Sequence, residues 1–189
     1  MRVAVTGTPG TGKTTASRLL GGTVPLDPPL RVVHLNDLIR EHDLVESVDD
    51  ERESLVADLD AVREQLAGED DLLVESHLAH HLDADRVVVL RAHPETVAAR
   101  LRERGESDAS AAENAESEAL DVVLSAAVER HGTGAVYEVD TTDRDPAWVA
   151  REIAAVVAGE RDPGVGAVDF TDYLVGSPTD DGLDSTDAD

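Results

Sequence analysis

The chain lacks cysteine, and no apolar stretch approaches the roughly 18 residues that a membrane-spanning helix needs. The missing cysteines exclude disulfide bonds and thiolate metal sites. The amino terminus passes directly from Met1-Arg2 into a strand-like run, which leaves no room for a signal peptide. We therefore expect a cytoplasmic protein that has no membrane partner.

Lysine is almost absent as well. Of the 16 basic residues all but Lys13 are arginine, and 41 acidic residues bring the formal net charge to −25. No arginine-rich patch stands out, which argues against direct nucleic-acid binding through a basic face. A folded core is still expected, because 41% of the residues are hydrophobic and apolar periodicity persists along most of the chain.

An acidic chain with so little lysine is typical of proteins that work in concentrated salt. At molar salt the Debye length shrinks to about 3 Å, so that repulsion among the carboxylates is screened. We expect a halophilic protein that loses structure in dilute buffer and regains it in concentrated KCl. The alternative is an acidic protein from a low-salt environment.

The single lysine lies in the strongest motif of the chain. Residues 7–14, Gly-Thr-Pro-Gly-Thr-Gly-Lys-Thr, fit the phosphate-binding pattern G-x-x-x-x-G-K-[ST] between a strand-like and a helix-compatible run. The backbone N–H groups and the positive end of the helix dipole would form an anion-binding nest. Lys13 would lie along the β- and γ-phosphates, and the Thr14 hydroxyl would bind Mg²⁺. A glycine-rich turn without a ligand is the alternative.

Strand-like and helix-like segments alternate along the chain. This alternation predicts an α/β fold, a doubly wound parallel sheet with helices on both faces. The strands are predicted at 2–6, 31–35, 72–75, 86–90 and 135–139.

The helices between these strands are predicted from apolar periodicity and capping residues. Asn36 is predicted to cap a short helix, and Asp49-Asp50 to open a long one that ends before Gly68. Another helix is predicted from Pro94 to Arg104. The polar run 106–112 is predicted to be a mobile loop, followed by a helix from Glu113.

The composition changes after residue 161. Residues 162–189 contain eight aspartates and no basic residue, so most of this segment is expected to be disordered. Phe170 and Tyr173 lie within the stretch 167–175, which could instead dock on the body.

The segment Glu75-Ser76-His77 follows a strand at the edge where open α/β sheets bind ligands. Glu75 could hold the Mg²⁺ hydration shell or orient an attacking hydroxyl or water, with His77 as a neutral donor or acceptor. His80 and His81 follow closely. A transition-metal site is therefore an alternative to ordinary surface or supporting histidines.

Three arginines are candidates for phosphate contacts. Arg40 lies on a helix beside the P-loop strand, where its guanidinium could grip an acceptor phosphate. Arg100 and Arg104 share one helix face directly before the polar loop, which could close as a lid and exclude water. Each could also be a solvated surface residue. A GTPase is disfavoured, because the guanine-reading motif Asn-Lys-x-Asp needs a second lysine.

At these residues the chain resembles a known family, the adenylate kinase isoenzyme 6-type proteins of archaea and eukaryotes. The resemblance covers about residues 2–158. It rests on six motifs, of which only the P-loop is specific by itself; the other five are specific in combination. The motifs are Gly-Thr-Pro-Gly-Thr-Gly-Lys-Thr-Thr (7–15), Asn-Asp-Leu-Ile-Arg (36–40), Glu-Ser-His-Leu (75–78), Val-Leu-Arg (89–91), Arg-Leu-Arg-Glu-Arg-Gly (100–105) and Glu-Asn-Ala-Glu-Ser-Glu (113–118).

The resemblance implies a broad-specificity nucleoside monophosphate (NMP) kinase with ATPase activity, which uses ATP and Mg²⁺ and takes AMP as an acceptor. It implies a P-loop domain at 1–161, with an NMP-binding segment at about 34–57 and a lid at about 103–113. The motifs and the resemblance together propose Lys13, Glu75 and His77 for catalysis, Gly10, Gly12, Lys13, Thr14, Thr15 and Arg104 for ATP, Asp37, Arg40 and Arg100 for the acceptor, and Thr14 and Glu75 for the metal.

The resemblance also implies transient binding to the small-subunit ribosomal protein uS-eleven and to small-subunit precursors during late maturation. A nucleotide-switched assembly factor whose kinase activity is incidental is one alternative, and a kinase for another small metabolite is a second. The chain departs from the family at Glu75, where aspartate is usual, and in its lid, which contains Glu106 and no lysine. Lid closure on ATP would then depend on Arg104 alone.

Overall fold

The computed structural model of the protein describes residues 1–49 and 54–176. The strands in these two ranges are β1 (Arg2–Thr6), β2 (Arg31–His34), β3 (Val45–Asp49), β4 (Ser54–Ala57), β5 (Leu72–Glu75), β6 (Arg86–Arg91) and β7 (Val136–Asp140). The helices are α1 (Lys13–Ser17), α2 (Leu35–Glu41), α3 (Leu59–Gln65), α4 (Pro94–Glu103), α5 (Asp108–Ala119), α6 (Val122–His131), α7 (Pro146–Ala158) and α8 (Asp172–Gly176), with a 3₁₀ turn at Ala79–His81.

A parallel five-stranded sheet in the order β2-β5-β1-β6-β7 carries the fold. Successive side chains of a strand point to opposite faces, so that Val3 and Val5 join the core beneath α1 and α7, whereas Ala4 joins the core beneath α2, α3 and α6. Because helices cover both faces, β5 and the middle of β6 are apolar almost throughout. The predicted doubly wound α/β sheet is confirmed.

The long helix predicted from Asp49-Asp50 is wrong. In its place β3 and β4 pair antiparallel, and α3 begins only at Leu59. The Asp58 carboxylate accepts hydrogen bonds from the N–H groups of Asp60 (3.1 Å) and Ala61 (2.9 Å), which satisfies the open donors of the first helical turn. This cap sets the start of the helix, and the apolar residues before it fall in a hairpin. Residues 50–53 lie outside the described chain.

Two other boundaries differ from the sequence-based expectation. Helix α2 begins at Leu35 and its N-cap is His34, so Asn36 is not a cap; its Oδ1 atom instead accepts a hydrogen bond from Ser76 Oγ at 3.2 Å. Most of the predicted mobile loop 106–112 belongs to α5, since the Ser107 hydroxyl accepts a hydrogen bond from Ser110 N and Ala111 packs against α4. Only residues 104–107 connect α4 and α5.

The chain beyond residue 161 packs on the body as far as the structure describes it. Gly164 forms a bridge with β7, and the N–H of Ala167 donates to a Glu138 carboxylate oxygen at 2.9 Å. Phe170 lies edge-on to His93, with 5.4 Å between the ring centroids, and Tyr173 packs on the cluster between α4 and α5. The stretch 167–175 thus docks, and the disorder expected for 177–189 concerns residues outside the described ranges.

Every helix within residues 1–49 and 54–176 is too short or too polar to cross a bilayer.

Candidate active site

The loop between β1 and α1 forms a backbone cradle at the carboxyl edge of the sheet. Gly7 is required by close packing, since a Cβ atom there would lie 2.3 Å from the backbone oxygen of Leu90. Gly12 has a φ of +89° and a Cβ position that faces open space, with no atom within 4 Å. The loop is therefore pinned against β6 on one side and open on the side where a phosphate group would enter.

Lys13 begins α1 and lies folded back over this loop. Its ammonium donates hydrogen bonds to the backbone oxygens of Gly7 (2.8 Å) and Thr8 (2.9 Å). Burial lowers the pKa of Lys13 to about 8, although the nearby Glu75 and Glu118 carboxylates partly oppose this shift. The Lys13 ammonium is therefore held by carbonyls of its own loop, and an anionic ligand bound in the loop could replace them as its partner.

Thr14 and Glu75 meet at the floor of the cleft. The Thr14 hydroxyl donates to one Glu75 carboxylate oxygen at 3.0 Å, and His34 Nδ1 lies 2.8 Å from the other. Glu75 is 5% exposed, so that its orientation is fixed by these two partners. A hydroxyl beside a carboxylate is the kind of hard-oxygen pair that Mg²⁺ accepts when substrate phosphates and water complete its shell. The two residues therefore fit the predicted metal.

His77 lies at the rim of the same cleft. It is an exposed residue, but partial desolvation of its ring and the Lys13 charge lower its pKa to about 4. A neutral imidazole is therefore expected at neutral pH, available as a donor or an acceptor.

His80 and His81 do not join His77 in a metal site. His80 is buried, with its Nδ1 atom 3.0 Å from the Thr6 hydroxyl, and burial lowers its pKa to about 4. No group of three or more His, Cys, Asp or Glu residues placed to hold a metal ion occurs within the described ranges. The role of His80 is to support the end of β1.

Arg100 on α4 and Arg104, the residue that caps the end of α4, lie beside the phosphate-binding loop. The Arg100 guanidinium donates to the backbone oxygen of Gly10 at 3.2 Å, whereas Arg104 lines the cleft beside Lys13 and also a second cavity. This second cavity adjoins the loop and is lined by Thr11, Gly12, Thr15, Arg100, Arg104, Thr141, Arg144, Pro146 and Val149. Most predicted residues of the nucleotide site are thereby brought together.

Asp37 and Arg40 do not line the cleft. They form a long ion pair of 3.8 Å with each other on α2, and the Arg40 side chain is 69% exposed. The residue of this segment that does line the cleft is Asn36.

Sequence reasoning missed several residues of the site. Asn36 was predicted only as a helix cap, and His34 ends a strand, a position that favours ligand contacts in α/β sheets. Arg144, which lies 4.7 Å from the ring centroid of Trp148 at the second cavity, carried no sequence signal.

The parallel sheet, the glycine-rich cradle after β1 and the lysine and hydroxyl that close it define a P-loop nucleotide-binding protein of the α/β type. Comparison with known proteins agrees with this class. A family model described as "AAA domain" matches residues 3–121.

The relatives narrow the class further. A protein of Natronomonas pharaonis named "Putative adenylate kinase" is 63% identical over 174 residues, which are 92% of this chain and 100% of that protein. A protein of the same name from Pyrococcus furiosus is 40% identical, over 90% of this chain and 92% of that one. The chain belongs to the family of these relatives, a family of P-loop kinases.

Solved structures support the fold. Shikimate kinase from Acinetobacter baumannii superposes with a TM-score of 0.54 at 15% identity, covering 85% of this chain and 94% of that one. At this identity the likeness concerns the arrangement of strands and helices alone.

Proposed function

We propose that the protein is a nucleoside monophosphate kinase, which transfers the γ-phosphate of Mg-ATP to AMP or a related NMP. The observation that carries this proposal is the cleft in which Lys13, Arg104 and the Thr14–Glu75 pair surround one open space at the carboxyl edge of the sheet. The names and coverage of the relatives support the same reading.

ATP would occupy both cavities. Its β- and γ-phosphates would lie in the cradle against the loop amides and Lys13, because backbone N–H groups at a helix start favour anions. The nucleoside would extend into the second cavity, past Thr15 toward Arg144 and Val149. Arg104 lines both cavities and can therefore contact the phosphates from the opposite side.

Thr14 and Glu75 would hold Mg²⁺, whose charge would help to neutralise the phosphates. His34 would keep the Glu75 carboxylate turned toward Thr14. The longer side chain of Glu75, where the family usually has aspartate, is accommodated because its two oxygens are engaged by different partners.

The chemistry would need charge neutralisation more than proton transfer. An oxygen of the acceptor phosphate attacks the γ-phosphorus while the bond to the β–γ bridging oxygen breaks and ADP leaves. The attacking oxygen is already deprotonated at neutral pH, so no strong base is required. Lys13 and Arg104 would neutralise the charge on the transferred group, and the neutral His77 could donate a hydrogen bond at the rim.

The acceptor would approach from the side of α2. Asn36 already lines the cleft there, whereas Arg40 lies about one turn further along the helix and is exposed, as is its ion-pair partner Asp37. We propose that Arg40 turns toward the acceptor phosphate when the NMP binds, and that Arg100 steadies the loop through Gly10.

A second candidate function is a nucleotide-switched assembly factor in late maturation of the small ribosomal subunit, with uS-eleven as its partner. The exposure of Arg40 favours it, because a cleft without a pre-placed acceptor arginine would leave hydrolysis of ATP as the main reaction. The ribosomal partner itself rests on the sequence resemblance alone.

The test compares ADP formation from Mg-ATP with and without AMP in concentrated KCl. We expect AMP to stimulate ADP formation. Lys13→Ala should lower both transfer and hydrolysis by about 100-fold or more, since it removes a charge from the transition state. Arg40→Ala should lower transfer alone by about 100-fold, since it misplaces the acceptor. Arg151→Ala, on the exposed face of α7, is the matched control.

Hydrolysis that persists without any effect of AMP would favour the assembly factor instead. Co-purification of small-subunit precursors with the protein, compared with and without nucleotide, would then test the ribosomal partner. An Arg40→Ala variant that lost hydrolysis as much as transfer, as Lys13→Ala should, would contradict the roles given to these residues.

A further inference from the structure

A buried carboxylate outside the cleft connects helix α5 to the phosphate-binding loop. Glu118 lies in the last turn of α5 and is 2% exposed. One of its oxygens accepts hydrogen bonds from Arg91 Nε (2.7 Å) and from the N–H of Ala92 (3.1 Å). The other accepts a hydrogen bond from the hydroxyl of Thr8. Glu118 therefore bridges α5, the end of β6 and the loop.

The contact with Thr8 reaches the centre of the proposed site. Thr8 is 1% exposed, and its backbone oxygen accepts hydrogen bonds from the Lys13 ammonium (2.9 Å) and from the Thr11 hydroxyl (2.9 Å). A shift of Thr8 would thus move the carbonyl that holds Lys13. Hydrogen bonds therefore connect Glu118 to Lys13 through Thr8.

Arg91 compensates the buried charge of Glu118. Its guanidinium also bonds to the Glu138 carboxylate at 2.8 Å and to the Asp121 carboxylate, and it lies 5.5 Å from the ring centroid of Phe170. Burial by itself would lower the pKa of Arg91, but Glu118 and Asp121 together raise it. A buried charge is retained at low cost only when it is paired in this way. Arg91 is therefore the fixed counter-charge, which leaves one Glu118 oxygen for Thr8.

We propose that Glu118 is a positioning residue that holds the phosphate-binding loop, through the Thr8 hydroxyl, in the shape that binds a nucleotide. Arg91 and the N–H of Ala92 hold the Glu118 carboxylate, the carboxylate holds the Thr8 hydroxyl, and the Thr8 carbonyl in turn holds the Lys13 ammonium. Glu118 itself touches neither the nucleotide nor the acceptor. This inference rests on the proposed role of the loop as the ATP site.

The test measures binding of Mg-ATP to the full chain by calorimetric titration in concentrated KCl. Thr8→Val keeps the size of the side chain and removes its hydroxyl. We expect it to weaken Mg-ATP binding by about tenfold, because a hydrogen bond to a charged group is lost. Thr8→Ser restores the hydroxyl and should recover most of the affinity. Thr133→Val, the same exchange in an exposed turn, serves as the control.

Coupling to Glu118 is tested by a double-mutant cycle. Thr8→Val should weaken binding less in the Glu118→Gln background than in the wild type, since the Thr8 hydroxyl there bonds to a neutral amide and no longer to a charged carboxylate. Thr8→Val alone leaves the Arg91 ion pairs in place, so that the test survives if Glu118→Gln does not fold. Thermal unfolding of each variant reports the folded fraction by which the affinity is corrected.

The outcomes separate this inference from the proposed function. A wild-type chain that does not bind Mg-ATP would overturn the proposed function. A wild-type chain that binds Mg-ATP, together with a folded Thr8→Val variant of equal affinity, would overturn the positioning role while leaving the function intact. An equal loss in Thr8→Val and Thr8→Ser would also overturn it, because the hydroxyl would then not be the cause.

Discussion

At the scale of single residues, burial and the partners of Lys13 set the protonation of its ammonium. Lys13 is 7% exposed, its ammonium is bound to two carbonyls of its own loop, and its pKa falls from 10.5 to about 8 because burial disfavours the charge. A triphosphate would replace the carbonyls as its partner and stabilise the charged form. Binding of ATP and protonation of Lys13 are therefore coupled.

This coupling predicts how affinity depends on pH. Below the ligand-free pKa of about 8, Lys13 is already protonated and the affinity for Mg-ATP should be nearly constant. Above it the protein must take up a proton on binding, so that affinity should fall by up to about tenfold per pH unit until the pKa of the bound state is reached. Calorimetry in buffers of different ionisation enthalpy measures both the affinity and the proton uptake.

The control for this prediction is Lys13→Arg, whose guanidinium remains charged throughout this range. If it binds Mg-ATP, the variant should show no proton uptake. A wild-type affinity that stays constant well above the ligand-free pKa would contradict the coupling.

At the scale of elements, capping side chains decide where helices begin. Apolar spacing alone extends α3 back to Asp49-Asp50, yet Asp58 starts it at Leu59. Ser107 likewise starts α5 within a stretch whose small polar residues are typical of a loop. Each of these residues satisfies N–H groups that have no partner inside the helix. The correct boundary is thus a local hydrogen-bonding choice that hydrophobic periodicity does not report.

The cap of α3 can be tested by Asp58→Ala. Removing the carboxylate leaves the N–H groups of Asp60 and Ala61 without their acceptor, so the free energy of unfolding should fall by about 1 kcal/mol. Thermal or denaturant unfolding in concentrated KCl measures this change. Glu64→Ala removes a similar charge from an exposed position of the same helix and should have little effect. An equal loss in the two variants would argue against the cap.

At the scale of the whole molecule, charge sets the conditions under which the fold persists. The formal charge of −25 arises from 41 acidic and 16 basic residues, so carboxylates greatly outnumber the basic side chains. The single guanidinium of Arg91, for example, forms ion pairs with three carboxylates, those of Glu118, Asp121 and Glu138. The remaining repulsion between carboxylates opposes compaction unless it is screened by salt.

The whole chain should therefore lose its tertiary structure in dilute buffer and regain it in concentrated KCl. During a KCl titration, far-UV circular dichroism measures the secondary structure and the fluorescence of Trp148 measures the tertiary packing. Screening predicts that the midpoint temperature rises steadily as the Debye length falls. A fully folded chain with a cooperative melt at low salt would refute the prediction.

Much of the fold follows from the sequence because its signals are local. Apolar runs of three or four residues, such as those of β1, β5 and β6, occur where a strand is buried on both faces. The P-loop pattern combines a turn, a helix start and a lysine within eight consecutive residues. Lys13, Thr14 and Glu75 were proposed from such local patterns, and the structure places all three in one cleft. Helix starts were missed where capping outweighed periodicity.

Only the tertiary structure decided which distant residues share a site. It joined His34 to Glu75 across neighbouring strands, Thr8 to Glu118 across most of the chain and Phe170 to His93, and it left Arg40 outside the cleft. Such pairs depend on strand order, crossover direction and helix packing, which place residues together without any fixed spacing along the chain. The sequence by itself determined the chemistry that is present, whereas the packing of its elements decided which groups can act together.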